Sequence, residues 1–227
     1  MVDRFECEAV LFDLDGVLVD STTSVERTWS IWAGRHGLDA ARIVEFAHGR
    51  RTEETLRSFA SHLDEDAERR ELERIELEDA ANVLKVDGAS DLLATLPPEN
   101  WAIVTSGTRA IATARMRNTG LPVPRTLVSA EDVENGKPDP ECYLTAAGLL
   151  GVAPERCVVV EDAPPGIRAA RSAGMAVVAV ATTHPASELS GADAMAQALN
   201  NVSLGETGTA EDGKIRLELR VRSGTTS

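Results

Sequence analysis

Residues 9–21 have the sequence AVLFDLDGVLVDS, in which an apolar run at 9–12 leads directly into two acidic residues and a glycine at 13–16. Apolar runs of similar length recur at 101–104, 157–160 and 175–180. Continuous apolar strands of this kind are typical of a parallel sheet, because helices cover both of its faces. The sequence therefore predicts buried parallel strands at these places.

Helix-like segments lie between the apolar runs, at 90–96, 109–118, 140–150 and 166–173. The alternation predicts an α/β fold with a doubly wound, Rossmann-like parallel sheet. Residues 21–86 interrupt the alternation, because they contain no strand-like run and are rich in Glu, Arg, Ala and Leu. We therefore expect an α/β core domain made of residues 1–20 and 87–227, with a helical cap domain inserted at 21–86.

Two further patterns concern the insert and the tail. Leu56, Phe59, Ala60 and Leu63 have the spacing of one helix face, and the Glu- and Arg-rich segment 64–79 is typical of a solvated helix. Near the C-terminus, apolar and charged residues alternate over 215–221 after a turn-like segment at 211–214, which predicts a half-buried strand. The role of the segment 200–227 does not follow from the sequence.

The 227-residue chain carries 23 Lys and Arg against 37 Asp and Glu, a formal charge of −14. This charge would repel a nucleic-acid backbone or an anionic membrane surface, so neither is an expected partner. It would also repel a small anionic substrate unless a metal ion or a cluster of donors offsets it.

Cysteine usage and the N-terminus bear on localisation. The three cysteines are far apart and include no CxxC pair, which fits a reducing compartment. The N-terminus has no basic segment followed by an apolar run, and no apolar stretch reaches about 18 residues. We expect a soluble, cytoplasmic protein.

Asp13 and Asp15 are the strongest candidate catalytic residues. They follow a predicted strand and precede Gly16, at the edge where α/β sheets place their ligands. Asp13 could be a nucleophile and a metal ligand, and Asp15 could protonate a leaving group and then accept a proton from water. The same tetrapeptide occurs in Ca²⁺ loops and simple turns, but residues 17–22 lack the further ligands of a Ca²⁺ loop.

Polar residues also follow the strand at 101–104. The hydroxyls of Thr105 and Ser106, with nearby backbone N–H groups, could bind a tetrahedral anion or simply cap the next helix. Lys137 lies among turn residues and could neutralise a phosphoryl group beside a nucleophilic carboxylate, although most loop lysines are only solvated.

Glu161 and Asp162 end the strand at 157–160. Facing Asp13 and Asp15, they would complete an all-oxygen site suited to Mg²⁺; the alternative is an acidic helix N-terminus. Each of these strand-end motifs is weak alone, but their consistent order predicts one shared site.

Taken together, the motifs resemble the haloacid dehalogenase superfamily, and within it the sugar- and polyol-phosphate phosphatases that carry a helical cap. Bacterial hexitol and sugar phosphatases and yeast-type glycerol-phosphate and deoxyglucose-phosphate phosphatases are more similar still, through VTSGTR at 104–109, GKP at 136–138, EDAP at 161–164 and HGRRT at 48–52. The resemblance implies a Mg²⁺-dependent phosphatase of carbohydrate metabolism that hydrolyses small phosphorylated metabolites through an aspartyl-phosphate.

The resemblance also implies roles for the candidate residues. The catalytic residues would be Asp13 as nucleophile, Asp15 as general acid and base, and Lys137 as the neutralising cation. Lys137, Thr105 and Ser106 would contact the phosphate group. The metal residues would be Asp13, Asp15 through its backbone carbonyl, Asp162, and Glu161 beside the metal or through water.

In the cap, the resemblance implies that Arg51, with His48 or Arg50 nearby, closes over the substrate. From the residues alone, 48–52 is an exposed basic turn.

Three alternatives stay open. A β-phosphoglucomutase-like sugar phosphomutase would resemble enzymes that carry a cap histidine twelve residues after the nucleophile, where this chain has Val25. A dehalogenase would lack the second acid that Asp15 provides. A catalytically silent sugar-phosphate binder is the alternative from another class.

The particular substrate, the choice between monomer and homodimer, and the role of Cys142 do not follow from the sequence.

Overall fold

The computed structural model describes residues 2–47, 49–209 and 215–222. Its largest element is a six-stranded sheet in which neighbouring strands are parallel. In spatial order the strands are β6 (Thr126–Val128), β5 (Trp101–Val104), β2 (Ala9–Phe12), β7 (Cys157–Glu161), β8 (Ala176–Val180) and β9 (Ala194–Ala196). The predicted strands form the centre of this sheet, which confirms the α/β fold, whereas the short edge strands β6 and β9 were not predicted.

Helices cover both faces of the sheet: α5 (Ala89–Thr95), α6 (Arg109–Thr119), α7 (Glu141–Leu150) and α8 (Pro164–Ser172). Val10 and Phe12 point to the face packed against α5 and α6. Ala9 and Leu11 point to the other face, against α7 and α8. Every residue of β2 is therefore buried, which is why the strand is a continuous apolar run in the sequence.

Four helices lie between β2 and α5 along the chain: α1 (Thr22–His36), α2 (Ala40–Ala47), α3 (Thr52–Phe59) and α4 (Glu65–Asp79). They enclose an apolar cluster of their own, which includes Trp29, Trp32 and Leu56. The predicted face on α3 contributes to it, but α3 ends at Phe59, so Leu63 packs against the cluster from the following turn. We call this four-helix segment the helical unit.

The chain enters and leaves the helical unit through two short antiparallel strands, β3 (Val19–Asp20) and β4 (Leu84–Lys85). The sequence predicted no strand within 21–86. Both residues of β4 are exposed, so the strand has no apolar signature. The separate cluster and the paired crossing strands support the division at 21–86, which we retain as a proposal.

The two ends of the chain form a second, antiparallel sheet in the order β1 (Val2–Cys7), β11 (Ile215–Arg222) and β10 (Val202–Thr209). Leu217, Leu219 and Val221 are buried in the same cluster as Val10 and Phe12. The residues between them are less buried, which confirms the predicted half-buried strand. The turn predicted at 211–214 lies outside the described residues.

Candidate active site

The polar residues that follow β2, β5 and β7 meet at one edge of the main sheet. Phe12 is paired with Ile103 on one side and with Val160 on the other, so Asp13 lies beside Glu161. The backbone N–H of Asp13 donates to the carbonyl of Val160 at 3.0 Å. The parallel register thus brings together residues that are far apart in sequence.

Lys137 reaches this edge from the loop before α7. Its side chain is 2% exposed, and its ammonium donates to Asp13 Oδ1 (2.6 Å), Glu161 Oε1 (2.7 Å) and the carbonyl of Val104 (3.2 Å). Burial alone would lower the pKa of Lys137, but the Asp13 and Glu161 carboxylates raise that pKa well above its usual value. Lys137 is therefore a charged ammonium that ties Asp13 to Glu161.

Both oxygens of the Glu161 carboxylate are occupied by donors from the protein. Oε1 accepts from Lys137 and from the Tyr143 hydroxyl at 2.9 Å; Oε2 accepts from the backbone N–H groups of Asp162 (2.9 Å) and Ala163 (3.1 Å). Four donors fill the usual acceptor positions of a carboxylate. Glu161, predicted among the metal residues, is thus placed where it orients Lys137 and has no acceptor position left for direct coordination.

Gly166, in α8, packs directly against Glu161, because a Cβ added at Gly166 would lie 1.5 Å from Glu161 Oε1. Gly166→Ala is therefore expected to displace Glu161, weaken its contact with Lys137 and lower the free energy of unfolding by about 2–4 kcal/mol. Urea unfolding measures this change.

Gly148→Ala, in α7, is the matched control, since a Cβ there meets no atom within 4 Å. Replacing this helical glycine should raise stability by about 0.5–1 kcal/mol. If the two variants unfold at the same urea concentration, the close packing of Gly166 against Glu161 is wrong.

Asp162 lies against the loop that follows β2. Its Oδ2 accepts a hydrogen bond from Thr183 Oγ1, and a Cβ at Gly16 would lie 2.0 Å from the same oxygen. Gly16 also has a φ of +79°, so both the backbone conformation and the close approach require glycine. Burial raises the pKa of Asp162 well above its usual range, and the nearby Glu161 and Asp13 carboxylates raise it further.

Three buried carboxylates, those of Asp13, Glu161 and Asp162, have oxygens within 4.8 Å of one another. Burial chiefly raises the pKa of Asp13, which reaches about 7 as the balance between this effect, the opposing Lys137 ammonium and the further raising effect of the Glu161 and Asp15 carboxylates. The three carboxylates together carry more negative charge than Lys137 can neutralise, so a further cation would stabilise the site. Carboxylate oxygens are suitable ligands for a hard ion such as Mg²⁺. The residues therefore fit a divalent cation, with Asp13 and Asp162 as the available carboxylate ligands.

Asp15 lies beside this cluster, with its side chain 29% exposed. Its Oδ1 accepts from Ser21 Oγ and from Arg115 Nη1, each at 2.6 Å. Arg115 is buried and also donates from Nη2 to Glu76 Oε2 at 2.7 Å.

Neither Arg115 nor Glu76 was predicted as a site residue from the sequence. The signal that could have found Arg115 is a charged residue on the apolar side of a helix, because its buried neighbours on α6 are Ile111, Ala112 and Met116.

A cavity of about 90 Å³ separates these residues from the helical unit. Thr105 and Ser106 line it: Thr105 Oγ1 accepts from the Gly107 N–H at 3.0 Å, and Ser106 Oγ donates to the Gly49 carbonyl at 3.1 Å. This space is large enough for a phosphoryl group.

Arg50 and Arg51 point to different places. Arg51 donates to the backbone carbonyls of Glu134 (2.8 Å) and Ala130 (3.1 Å), so it joins α3 to the core and is absent from the cavity lining that the structure describes. Arg50 lines the cavity, with its guanidinium 4.6 Å from the centroid of the Phe46 ring. Arg50 is therefore the better placed of the two for a substrate contact, while His48 lies outside the described residues.

Comparison with known proteins agrees with this geometry. Residues 7–174 match the family model for haloacid dehalogenase-like hydrolases. Hexitol phosphatase A of Escherichia coli is 43% identical over 203 residues, covering 87% of this chain and 94% of that protein. The 2-deoxyglucose-6-phosphate phosphatase 1 of Saccharomyces cerevisiae is 34% identical, covering 88% and 92%. The crystal structure of a β-phosphoglucomutase from Clostridium difficile has a TM-score of 0.75 at 25% identity, covering 86% and 92%.

The parallel sheet, covered by helices on both faces and ending in acidic residues, defines an α/β protein with a carboxylate-rich site at the carboxyl edge of its sheet. More particularly, the chain belongs to the haloacid dehalogenase-like hydrolase family. In the described parts of the chain, no helix combines the length and the apolar character needed to cross a membrane.

Proposed function

We propose that this chain is a phosphoric monoester hydrolase that uses Mg²⁺ and acts on small sugar or polyol phosphates. The observation that carries the proposal is the buried pair of Lys137 and Asp13 at the end of β2, with Asp15 lining the same cavity. The similarity to sugar and polyol phosphatases along most of the chain supports it.

In the first half of the reaction, a carboxylate oxygen of Asp13 attacks phosphorus, and the bond from phosphorus to the ester oxygen of the substrate breaks. Protonated Asp15 gives its proton to that oxygen, so the products are an alcohol and an aspartyl-phosphate. Lys137 and the donors around Thr105 and Ser106 stabilise charge on the phosphoryl oxygens.

In the second half, a water oxygen attacks phosphorus and the bond to Asp13 breaks. Asp15, now ionised, accepts a proton from the water, which restores both carboxyl groups and releases phosphate. The helical unit over the cavity limits the access of other water molecules.

Asp13 and Asp162 would hold the Mg²⁺ ion, with the backbone carbonyl of Asp15 as a further ligand. When bound, the ion supplies positive charge that offsets the charge on the phosphate. Glu161 contributes to the site indirectly, because its carboxylate accepts a hydrogen bond from Lys137 and keeps the ammonium beside Asp13.

The part of the substrate beyond the phosphoryl group needs a binding surface next to the cavity beside Asp13. A second cavity of about 430 Å³ adjoins it, since Arg50 and His184 line both. Arg42, Phe46 and Arg168 also line the second cavity. Guanidinium donors and an aromatic ring suit the hydroxyl groups and carbon skeleton of a sugar or polyol.

Val25 argues against a phosphomutase. Its side chain lines the cavity at the position where the resemblance to β-phosphoglucomutases calls for a histidine. A valine side chain neither donates nor accepts a proton, so this position cannot assist phosphoryl return to a second sugar hydroxyl.

The buried, unpaired state of all three cysteines supports a reducing compartment. The cytoplasmic location, the monomer or homodimer state and the absence of nucleic-acid and membrane partners stay predictions.

The test is phosphate release from a panel of glycerol, hexitol, hexose and nucleotide monophosphates, with Mg²⁺ and with a chelator. Release is expected to favour the polyol and sugar phosphates, to fall at least about a hundredfold with the chelator and to return when Mg²⁺ is added. Asp15→Asn should lower the rate by about 10²–10⁴-fold.

Each contrary outcome identifies an alternative. A sugar phosphate isomerised without phosphate release would indicate the phosphomutase. Binding of sugar phosphates without any product would indicate the silent binder. Equal rates with and without the chelator would remove Mg²⁺ from the proposal.

A further inference from the structure

Arg115 links the helical unit to the core through two carboxylates. Its Nη1 donates to Asp15 Oδ1 at 2.6 Å, and its Nη2 donates to Glu76 Oε2 at 2.7 Å. Asp15 belongs to the loop after β2, whereas Glu76 comes from α4 of the helical unit. All three residues line the cavity of about 90 Å³.

The two oxygens of Asp15 have different surroundings. Oδ1 accepts from both Ser21 and Arg115, whereas Oδ2 has no hydrogen-bond partner among the described residues. Two donors on one oxygen fix the rotation of the carboxyl group and leave the other oxygen open to the cavity. A group that must give a proton to one atom of a substrate requires this kind of fixed orientation.

Arg115 is suited to this task by its shape. Its side chain is 3% exposed, and a guanidinium offers parallel donors in a rigid plane, so it can hold Asp15 and Glu76 at once. A lysine is a single flexible charge and could not fix both carboxylates in the same way. Because Glu76 holds the other side of the guanidinium, the helical unit helps to set the position of Arg115.

We propose that Arg115 is a positioning residue that holds Asp15 in the orientation for proton transfer, with Glu76 supplying the second anchor from the helical unit. This inference rests on the proposed function, because it assumes that Asp15 is the general acid. The simpler alternative is that Arg115 only neutralises Glu76 and fastens the helical unit to the core.

The leaving group separates these two explanations. An alkoxide leaves only with a proton, so hydrolysis of glycerol phosphate depends on the general acid. The 4-nitrophenolate ion leaves without one, because its charge is delocalised. The value of kcat/KM reports the steps up to the first phosphoryl transfer, in which this proton is needed.

Arg115→Met is therefore expected to lower kcat/KM for glycerol phosphate at least about tenfold, and that for 4-nitrophenyl phosphate less than about threefold. Arg115→Lys should show a smaller difference of the same kind. Arg117→Met is the matched control, since Arg117 lies on the exposed side of α6, and both of its rates should equal those of the unsubstituted protein. In a crystal structure of Arg115→Met, the Asp15 side chain should adopt a different orientation or more than one.

Arg115→Met leaves Glu76 and Asp15 without their cation and could unfold the chain. The double variant Glu76→Gln with Arg115→Met removes one negative charge as well, and the same difference between substrates is expected for it. Thermal unfolding checks that each variant is folded at the assay temperature.

Different results would contradict the role of Arg115 and the phosphatase activity. If Asp15→Asn depends on the leaving group but the folded Arg115 variants lose both activities equally, the positioning role is wrong while the phosphatase stands. If the unsubstituted protein releases phosphate from no ester of the panel, the proposed function itself fails. If Asp15→Asn lowers kcat/KM equally for both esters, Asp15 is not the general acid and the positioning role is wrong with it.

Discussion

Replacing Asp13 with asparagine is expected to abolish turnover while the chain stays folded. The amide has nearly the same shape but is not a nucleophile, so no aspartyl-phosphate can form. We expect phosphate release to fall at least about a thousandfold, or about 4 kcal/mol in the barrier. The fold should persist, because Lys137 keeps its bonds to Glu161 and to the Val104 carbonyl.

The measurement is steady-state phosphate release together with acid-quenched labelling by a radioactive phosphate ester. The unsubstituted protein should retain label that hydroxylamine removes, and Asp13→Asn should retain none. Asp91→Asn, an exposed carboxylate on α5, is the control and should keep both properties. Turnover above a tenth of the original rate in Asp13→Asn would remove Asp13 as the nucleophile.

Lys137→Met is expected to affect both stability and activity. The substitution leaves the Asp13 and Glu161 carboxylates, 2.6 and 2.7 Å from the lysine nitrogen, without their shared cation in a buried site. Removing one partner of a buried ion pair costs about 3–5 kcal/mol of the free energy of unfolding. Because Lys137 lowers the pKa of Asp13, its loss also favours the protonated, non-nucleophilic form of Asp13.

Urea unfolding in the presence of a chelator measures the first effect, and phosphate release with Mg²⁺ measures the second. Activity should fall at least about a hundredfold. Lys85→Met is the matched control, because Lys85 is exposed on β4 and its replacement should change neither quantity measurably. A stability loss below about 1 kcal/mol would show that the carboxylates do not depend on Lys137.

The main sheet was predictable because its signals are local. Each central strand is a continuous apolar run, and both of its faces are covered in the structure. The edge strands β6 and β9 have three residues each, too few to produce a comparable pattern. The strand β4 was missed because it has only two residues and both are exposed.

The position of the candidate site was predictable as well, since parallel strands end at one edge of a sheet. Asp13, Thr105 and Glu161 are identified by their places at or just after strand ends, and the structure brings them together through strand pairing. What each side chain does there was less predictable. Glu161 resembled a metal ligand in sequence, but four donors occupy its carboxylate.

The sequence by itself therefore determined the fold class, the family resemblance and the residues that gather at the carboxyl edge of the sheet. Only the tertiary structure decided that Arg50 lines the cavity while Arg51 bonds to the core, and that Arg115 holds Asp15. Apolar runs and strand ends are properties of neighbouring residues and can be recognised in a short segment. A hydrogen bond between residues 100 positions apart leaves no local pattern, because it exists only after α6 has packed beside the loop that follows β2.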